Sequence, residues 1–361
     1  MYAFAAAGTG GHVYPALAVA DALVARGVDR SDIVFIGGDR MEATTVPAAG
    51  YEFMGVEIQG LRRSMSTENL KLPGLLWKAT RGIAETLRSR QTKVLAAFGG
   101  YVSVPAAWAA RRSGVKLFVH EQNAVPGLAN RMISRGADRT FVAFPEAIGS
   151  LSKVEVVGNP LRPQFVEFDR QALIAEARDR YSLPPDVPVL GILGGSLGAR
   201  VLNDIASTIA ATHDRDQLAI VHLTGKAMHD EVAAKAVTAP VHWRTVDFED
   251  RMDLFYAAVD LVLSRAGALT VSEITATGTP AVVVPYAAGT AGHQAANVAS
   301  LSDAGGVVVV AETAIDQVPV IVEQLMADEH RRAAMAVVAR GQGRPDAAET
   351  MARQLMEAAH G

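Results

Sequence analysis

Short unbroken apolar runs, each followed by a stretch with helical spacing, recur along the whole chain. In the first half they are Tyr2–Ala7, Ile33–Ile36, Val94–Phe98, Leu117–Val119, Thr140–Ala143 and Val154–Val157. The second half repeats the scheme at Val189–Leu193, Ala219–Leu223, Val241–Val246, Leu261–Leu263, Ala281–Pro285 and Val307–Val310. Apolar runs of strand length between helices mark strands covered on both faces of a parallel sheet. The pattern predicts an α/β protein of two Rossmann-like domains with parallel sheets facing a cleft. Gly158-Asn159-Pro160-Leu161-Arg162-Pro163 separates the two sets, and its prolines bar both helix and central strand. The boundary is therefore expected near Pro163, giving domains of residues 1–163 and 164–342. The last helical pattern, Asp346 to Ala359, has no following strand and is free to cap either domain.

A glycine-rich turn follows the first run of each half: Gly8-Thr9-Gly10-Gly11-His12 and Gly194-Gly195-Ser196-Leu197-Gly198-Ala199. Such turns bring bare N–H groups toward a ligand, and the helix that follows aims its positive end at the same point. Each half thus offers a cradle for an anion, as suits an enzyme joining a phosphorylated donor to a separate acceptor. Pro15 is expected in the first turn of the first such helix, where a missing N–H is harmless. Asp39, after Gly37-Gly38, keeps a nicotinamide dinucleotide site open as an alternative, although its spacing exceeds the usual roughly 20 residues. A helix amino terminus disfavours the imidazolium form of His12, which then either accepts a proton in catalysis or simply caps the helix.

Composition narrows the classes. A chain of 361 residues suits two domains. With 34 Lys plus Arg against 38 Asp plus Glu, the net charge of -4 gives no reason to expect nucleic acid. The absence of cysteine excludes disulfides, thiolate zinc sites and cysteine nucleophiles and fits a reducing compartment. The first apolar run passes straight into the glycine turn and reads as a strand rather than a signal peptide. No run approaches the roughly 20 apolar residues of a membrane span.

Further chemistry gathers where strands end. Phe98-Gly99-Gly100-Tyr101-Val102-Ser103 and His120-Glu121-Gln122-Asn123 both lie at the carboxyl edge, where open sheets bind ligands. Four polar residues directly after Phe118-Val119 are difficult to place in a core. Glu121 reads as an acid or base or as a hydrogen-bonding strut, His120 as a strut, and Asn123 as a binding residue. Ser264-Arg265-Ala266-Gly267-Ala268-Leu269-Thr270-Val271-Ser272-Glu273 enters a helix after another strand. Glu273 there either complements the helix dipole or accepts ribose hydroxyls. His293-Gln294 and Asn297 begin a further helix, with amides suited to sugar hydroxyls. Asp214-Arg215-Asp216 resembles a metal-holding aspartate pair, yet it precedes its strand and reads as a solvated turn; no metal or other cofactor is expected. Leu72, Leu75, Leu76, Trp77, Lys78 and Arg81 open an amphipathic basic helix, suited either to packing on the sheet or to an anionic membrane surface.

Taken together, these loops resemble the MurG family of peptidoglycan N-acetylglucosaminyltransferases. Gly8 through Pro15, Arg40-Met41-Glu42, Gly99 through Ser103, His120 through Asn123, Val157 through Arg162, Gly194-Gly195-Ser196 and Arg265 through Glu273 carry the resemblance along nearly the whole chain. It implies a GT-B fold whose last helix, about residues 343–361, crosses back to the first domain. It also implies transfer of N-acetylglucosamine from UDP-N-acetylglucosamine to the C4 hydroxyl of lipid I, with inversion, on the cytoplasmic face of an anionic membrane. Carried over, Ser196 and the helix after it hold the diphosphate, Glu273 the ribose, and the Phe248 backbone the uracil. Ala268, Leu269, Thr270, Gln294 and Asn123 contact the sugar, with Val271 and Ser272 in the same segment. Arg162 and Thr9-Gly10-Gly11 lie near the phosphates. His12 is the first candidate base, ahead of Glu121 and Tyr101. Leu197, often Gln in the family, and His293 depart from its pattern. An acceptor other than lipid I, or a non-catalytic sugar-nucleotide sensor, are the remaining alternatives beside the oxidoreductase.

Overall fold

The computed structural model describes residues 1–57, 72–195, 198–287 and 292–360. It divides into two compact units, Met1–Pro163 with Pro345–Gly361, and Gln164–Arg344.

The first unit holds strands β1 (Tyr2–Ala5), β2 (Ile33–Gly37), β3 (Glu52–Gly55), β4 (Val94–Ala97), β5 (Lys116–Glu121), β6 (Arg139–Val142) and β7 (Val154–Val156). Between them run helices α1 (Gly10–Ala25), α2 (Glu42–Ala48), α3 (Leu72–Ser89), α4 (Ser103–Ser113) and α5 (Leu128–Ser134). All strand pairs are parallel in the order β3-β2-β1-β4-β5-β6-β7, so the order reverses between β1 and β4, and the loops after these two strands flank the crevice that such a reversal opens. Side chains of β1 alternate between two cores. Tyr2, Phe4 and Ala6 join Leu17 and Leu23 of α1, while Ala3, Ala5 and Ala7 meet the alanine-rich α4, with Ile83 and Leu87 of α3 alongside. Phe4 stacks on Phe35 at 5.1 Å and on Phe98 at 6.1 Å between ring centroids, tying β1 to both neighbours. The edge strand β3 has no counterpart in the hydrophobic pattern: Glu52 and Gly55 are exposed and only its middle residues are half-buried.

The second unit repeats the plan with β8 (Val189–Leu193), β9 (Ala219–Leu223), β10 (His242–Val246), β11 (Leu261–Ser264), β12 (Ala281–Val283) and β13 (Val307–Val309). Its helices are α6 (Arg170–Arg180), α7 (Arg200–Ala211), α8 (His229–Val237), α9 (Met252–Ala258), α10 (Ala268–Thr277), α11 (His293–Asp303), α12 (Val318–Ala327) and α13 (Glu329–Gln342). The sheet is again parallel, in the order β10-β9-β8-β11-β12-β13, and β8 and β11 flank its reversal. The final helix, α14 (Ala347–His360), belongs to the first unit: Met351 and Leu355 enter the core beside α1, and Gln354 donates to Glu155 Oε1 at 2.7 Å.

Candidate functional site

In the first unit the β1–α1 loop sets His12 on the opening turn of α1. The helix begins at Gly10, so Pro15 lies in the second turn rather than the first, and its missing N–H leaves the Gly11 carbonyl without its helical partner. Nor does His12 cap the helix: its Nδ1 lies 2.9 Å from the Ala7 carbonyl. A carbonyl only accepts, so Nδ1 carries the hydrogen and Nε2 presents a lone pair. Burial pushes the imidazole below its ordinary pKa, opposed by the Ala7 bond and by the charges of Glu121 and Glu42. The loop after β4 packs against the same carbonyl, since a Cβ on Gly100, whose φ is +79°, would stand 2.4 Å from the Ala7 oxygen.

Glu42, at the start of α2, is fully buried and ties two loops together. Its Oε2 accepts from Gly8 N–H at 3.2 Å and its Oε1 from Gly38 N–H at 3.0 Å. Tyr101 lies against Gly38, and its phenol is pushed up by burial and then by the carboxylates of Glu42 and Asp39, which keeps it a hydrogen-bond donor at neutral pH.

The polar run after Phe118-Val119 is mostly interior, although four polar residues in a row are difficult to place in a core. Strand β5 extends through Glu121, and His120, Glu121 and Gln122 are all buried, with only Asn123 half-buried. Glu121 Oε1 accepts from the Asn123 backbone at 2.9 Å, and Oε2 accepts from Gly127 N–H at 3.0 Å and Asn130 Nδ2 at 2.9 Å. Its two oxygens therefore shape the 122–130 loop, which is the strut alternative. His120 donates from Nε2 to the Gly158 carbonyl at 2.9 Å and accepts from Gln122 at Nδ1, and burial pushes it down to about 4. Arg162 lies over the Tyr14 ring at 5.6 Å, beside the opening of α1. Thr9 is exposed and Gly10 buried at that opening.

In the second unit the glycine turn packs tightly on its surroundings. Gly198 has φ +72°, and a Cβ there would stand 2.3 Å from the Thr224 carbonyl. Ser196 and Leu197 lie outside the described residues. Ala199, at the N-cap of α7, makes no side-chain capping bond. The β11–α10 loop places Ala268, Leu269 and Thr270 half-buried at the opening of α10, with Val271 buried behind them and Ser272 Oγ donating to the Ala268 carbonyl at 2.9 Å. Glu273 sits in the second turn rather than the first, and Tyr256 of α9 donates to its Oε2 at 3.0 Å. Phe248 is exposed beneath Lys226 Nζ, and its N–H donates to Asp247 Oδ1 at 2.9 Å. Gln294 Oε1 accepts from Tyr286 N–H at 2.9 Å. Arg265 donates to the Val284 carbonyl at 3.1 Å and to Glu312 at 2.7 Å, bracing the segment after β12. Asp214 and Asp216 are exposed at the opposite end of the sheet from these loops.

Helix α3 packs through Ala79, Thr80, Ile83, Ala84 and Leu87, which satisfies the packed-helix reading for its second half. Its first turns are different. Leu75 and Leu76 are half-buried, Trp77 is 58% exposed, and Lys78 and Arg81 are exposed. The Leu72 side chain lies outside the description. Neighbouring helices on this side of the sheet add Trp108 from α4 and Leu128 and Met132 from α5 as exposed apolar groups, accompanied by the exposed Arg111, Arg112, Arg131 and Arg135. No helix among the described residues is long and apolar enough to cross a membrane.

Sequence reasoning named Glu42 and Arg265 only within segments that carry the resemblance and gave neither a role, and it missed Tyr256, Asn130 and the pairing of Arg265 with Glu312. Each holds a loop or a neighbouring side chain through long-range contacts, and none carries a local spacing signal.

The profile of the glycosyltransferase family 28 N-terminal domain matches residues 2–142, and that of the family 28 C-terminal domain matches residues 189–351. The UDP-N-acetylglucosamine--N-acetylmuramyl-(pentapeptide) pyrophosphoryl-undecaprenol N-acetylglucosamine transferase of Salinibacter ruber is 41% identical, covering 97% of this chain and 94% of its own. The transferase of the same name from a Nocardioides species is 41% identical, over 98% and 96% of the two chains. Among solved structures, Acinetobacter baumannii MurG superposes with a TM-score of 0.78 at 29% identity over 99% of each chain. A UDP-GlcNAc 2-epimerase from Neisseria meningitidis shares the fold, with a TM-score of 0.69 at 13% identity over 99% of this chain and 100% of its own.

Proposed function

This chain belongs to glycosyltransferase family 28, and on that premise we propose that it is the UDP-N-acetylglucosamine-dependent transferase that converts lipid I to lipid II. The observation that carries the reading is identity of about two residues in five along nearly the whole chain with enzymes bearing that name. It leaves the nicotinamide alternative without support. The C4 hydroxyl of the muramoyl sugar displaces UDP from the anomeric carbon, so an α linkage becomes β and UDP leaves in one step.

Such a displacement needs a base for the hydroxyl and stabilisation for the departing diphosphate. His12 is the base. Its Nε2 holds the lone pair while the Ala7 carbonyl occupies Nδ1, and burial keeps the ring neutral at working pH. Tyr101 and Glu121 position rather than react: the phenol keeps its proton, and the carboxylate is committed to its own loop. The amides opening α7, together with Ser196, receive the diphosphate, and Thr9, Gly10, Gly11 and Arg162 add amides and a cation near the phosphates. Glu273, oriented by Tyr256, accepts the ribose hydroxyls. Phe248 offers its backbone to uracil, and the Asp247 bond to its N–H opens as the base enters. Ala268, Leu269, Thr270, Gln294 and Asn123 contact the sugar.

The lipid substrate implies contact with a membrane. The exposed Trp77, Trp108, Leu128 and Met132 on the neighbouring helices α3, α4 and α5, accompanied by cations, suit peripheral binding to an anionic surface on the cytoplasmic side, with Leu72, Leu75, Leu76, Lys78 and Arg81 of α3 taking part.

Incubation with a short-chain lipid I analogue and analysis of the product by NMR tests the reading. A β-1,4-linked disaccharide supports it, whereas an α linkage or hydrolysis to free N-acetylglucosamine defeats it.

A further inference from the structure

We infer that Glu42 is a positioning residue for His12 and acts through the peptide group between Ala7 and Gly8. The Gly8 N–H donates to Glu42 Oε2 at 3.2 Å, and the Ala7 carbonyl accepts from His12 Nδ1 at 2.9 Å. These are the two ends of one planar amide, so carboxylate, peptide and imidazole stand in series. The arrangement resembles a carboxylate–histidine pair with one peptide unit inserted between the partners. The inference rests on His12 being the base.

Three further observations make the series more than a chance alignment. Glu42 is fully buried, and among the described residues its hydrogen-bond partners are the two backbone amides of Gly8 and Gly38. Burying a carboxylate on neutral donors is unfavourable and calls for a compensating role. The Gly38 bond fixes the second oxygen, so the carboxylate cannot turn away from Gly8. On the far side, the absence of a side chain at Gly100 lets its backbone lie close against the Ala7 oxygen.

The chemical consequence follows from hydrogen-bond cooperativity. An anion accepting from an amide N–H shifts electron density toward that amide's oxygen and makes it a stronger acceptor. The stronger acceptor holds the hydrogen on Nδ1, keeps the lone pair on Nε2, and steadies the ring when Nε2 takes up a proton. The charged and titratable groups whose fields reach His12 are Glu42 on α2 and Glu121 and His120 on β5. The two carboxylates favour the protonated ring.

Glu42→Gln keeps the side-chain volume but removes the charge and sets an NH2 group against one of the two amides. The test combines three measurements on the full chain: the His12 tautomer and titration by long-range 1H–15N correlation, kcat against pH with UDP-N-acetylglucosamine and a soluble lipid I analogue, and UDP affinity. The expected result is a lower His12 pKa, a mixed tautomer, an acidic limb moved to lower pH, and a loss of about tenfold or more in kcat with UDP affinity unchanged. In a His12→Ala background the same change is expected to cost nothing further. An unchanged tautomer and titration in Glu42→Gln overturns the inference, as does an equal loss in both backgrounds, which is the mark of a merely structural role. Should Glu42→Gln fail to fold, the unmodified chain still decides: the Gly8 amide proton is expected to titrate with the His12 midpoint, and a resonance that stays still across that range overturns the inference. Full activity in His12→Ala defeats the base assignment instead, so the two failures are told apart.

Discussion

The hydroxyl of Tyr256 donates to Glu273 Oε2 at 3.0 Å, linking two consecutive helices of the second unit beneath the β11–α10 loop. Tyr256 is fully buried, with the rings of Phe165 and Phe255 edge-on at 6.0 and 5.4 Å, so its hydroxyl is held at one point. Glu273 is thereby oriented before any nucleotide arrives. Tyr256→Phe removes one hydrogen bond to a charged group, about 1.5 kcal/mol, and is expected to weaken UDP binding roughly tenfold in calorimetry. Glu273→Ala should weaken it further, and wild-type affinity in both variants would remove Glu273 from the nucleotide site.

Loss of the base should act on turnover alone. His12→Ala is expected to lower kcat by about a hundredfold or more, within the usual range for a positioned base, while UDP affinity stays as in the wild type. Full turnover in that variant would exclude His12.

The pH dependence has a definite sign. His12 accepts a proton only when neutral, and burial lowers its pKa, so the acidic limb of kcat should fall below the ordinary imidazole value of 6.5. A limb above that value contradicts the placement of the ring.

Stability should follow two other buried histidines. His120 is pushed down to about 4 and His222 to about 3, in both cases by burial. From the ordinary value of 6.5 down to these pKa values the unfolded chain binds protons that the folded chain does not, so stability declines as pH falls through that window and is fully present above it. Denaturant midpoints measured from pH 7 to pH 4 should show the decline, and His120→Gln should flatten part of its slope while lowering stability throughout. A slope identical to wild type in that variant would remove His120 as a source.

Membrane association should depend on charge and on exposed aromatic surface together. Binding to vesicles containing phosphatidylglycerol is expected to weaken as salt rises, and to weaken again when Leu75, Leu76 and Trp77 are changed to Ser. Binding that ignores both changes would assign α3 to packing alone.

The elements most legible in the sequence are those buried on both faces. Tyr2–Ala7 announces β1 because every residue of that strand is covered, while β3 escapes notice because its Glu52 faces solvent on the sheet edge. The glycine turns are legible because glycine is needed where Gly100 and Gly198 approach backbone oxygens. Polarity misleads at His120-Glu121-Gln122, since hydrogen bonds to a distant linker and a neighbouring loop let those side chains lie inside. The partners of Glu42 and Tyr256 stay hidden for a related reason: what each holds, Gly8 and Glu273, is fixed by the fold rather than by sequence spacing.

The most direct test of the central claim is UDP release from UDP-N-acetylglucosamine in EDTA, with and without a short-chain lipid I analogue. Release that depends on the analogue and yields one disaccharide per UDP is the predicted result. UDP release at the same rate without acceptor, or none despite tight UDP binding, would contradict it.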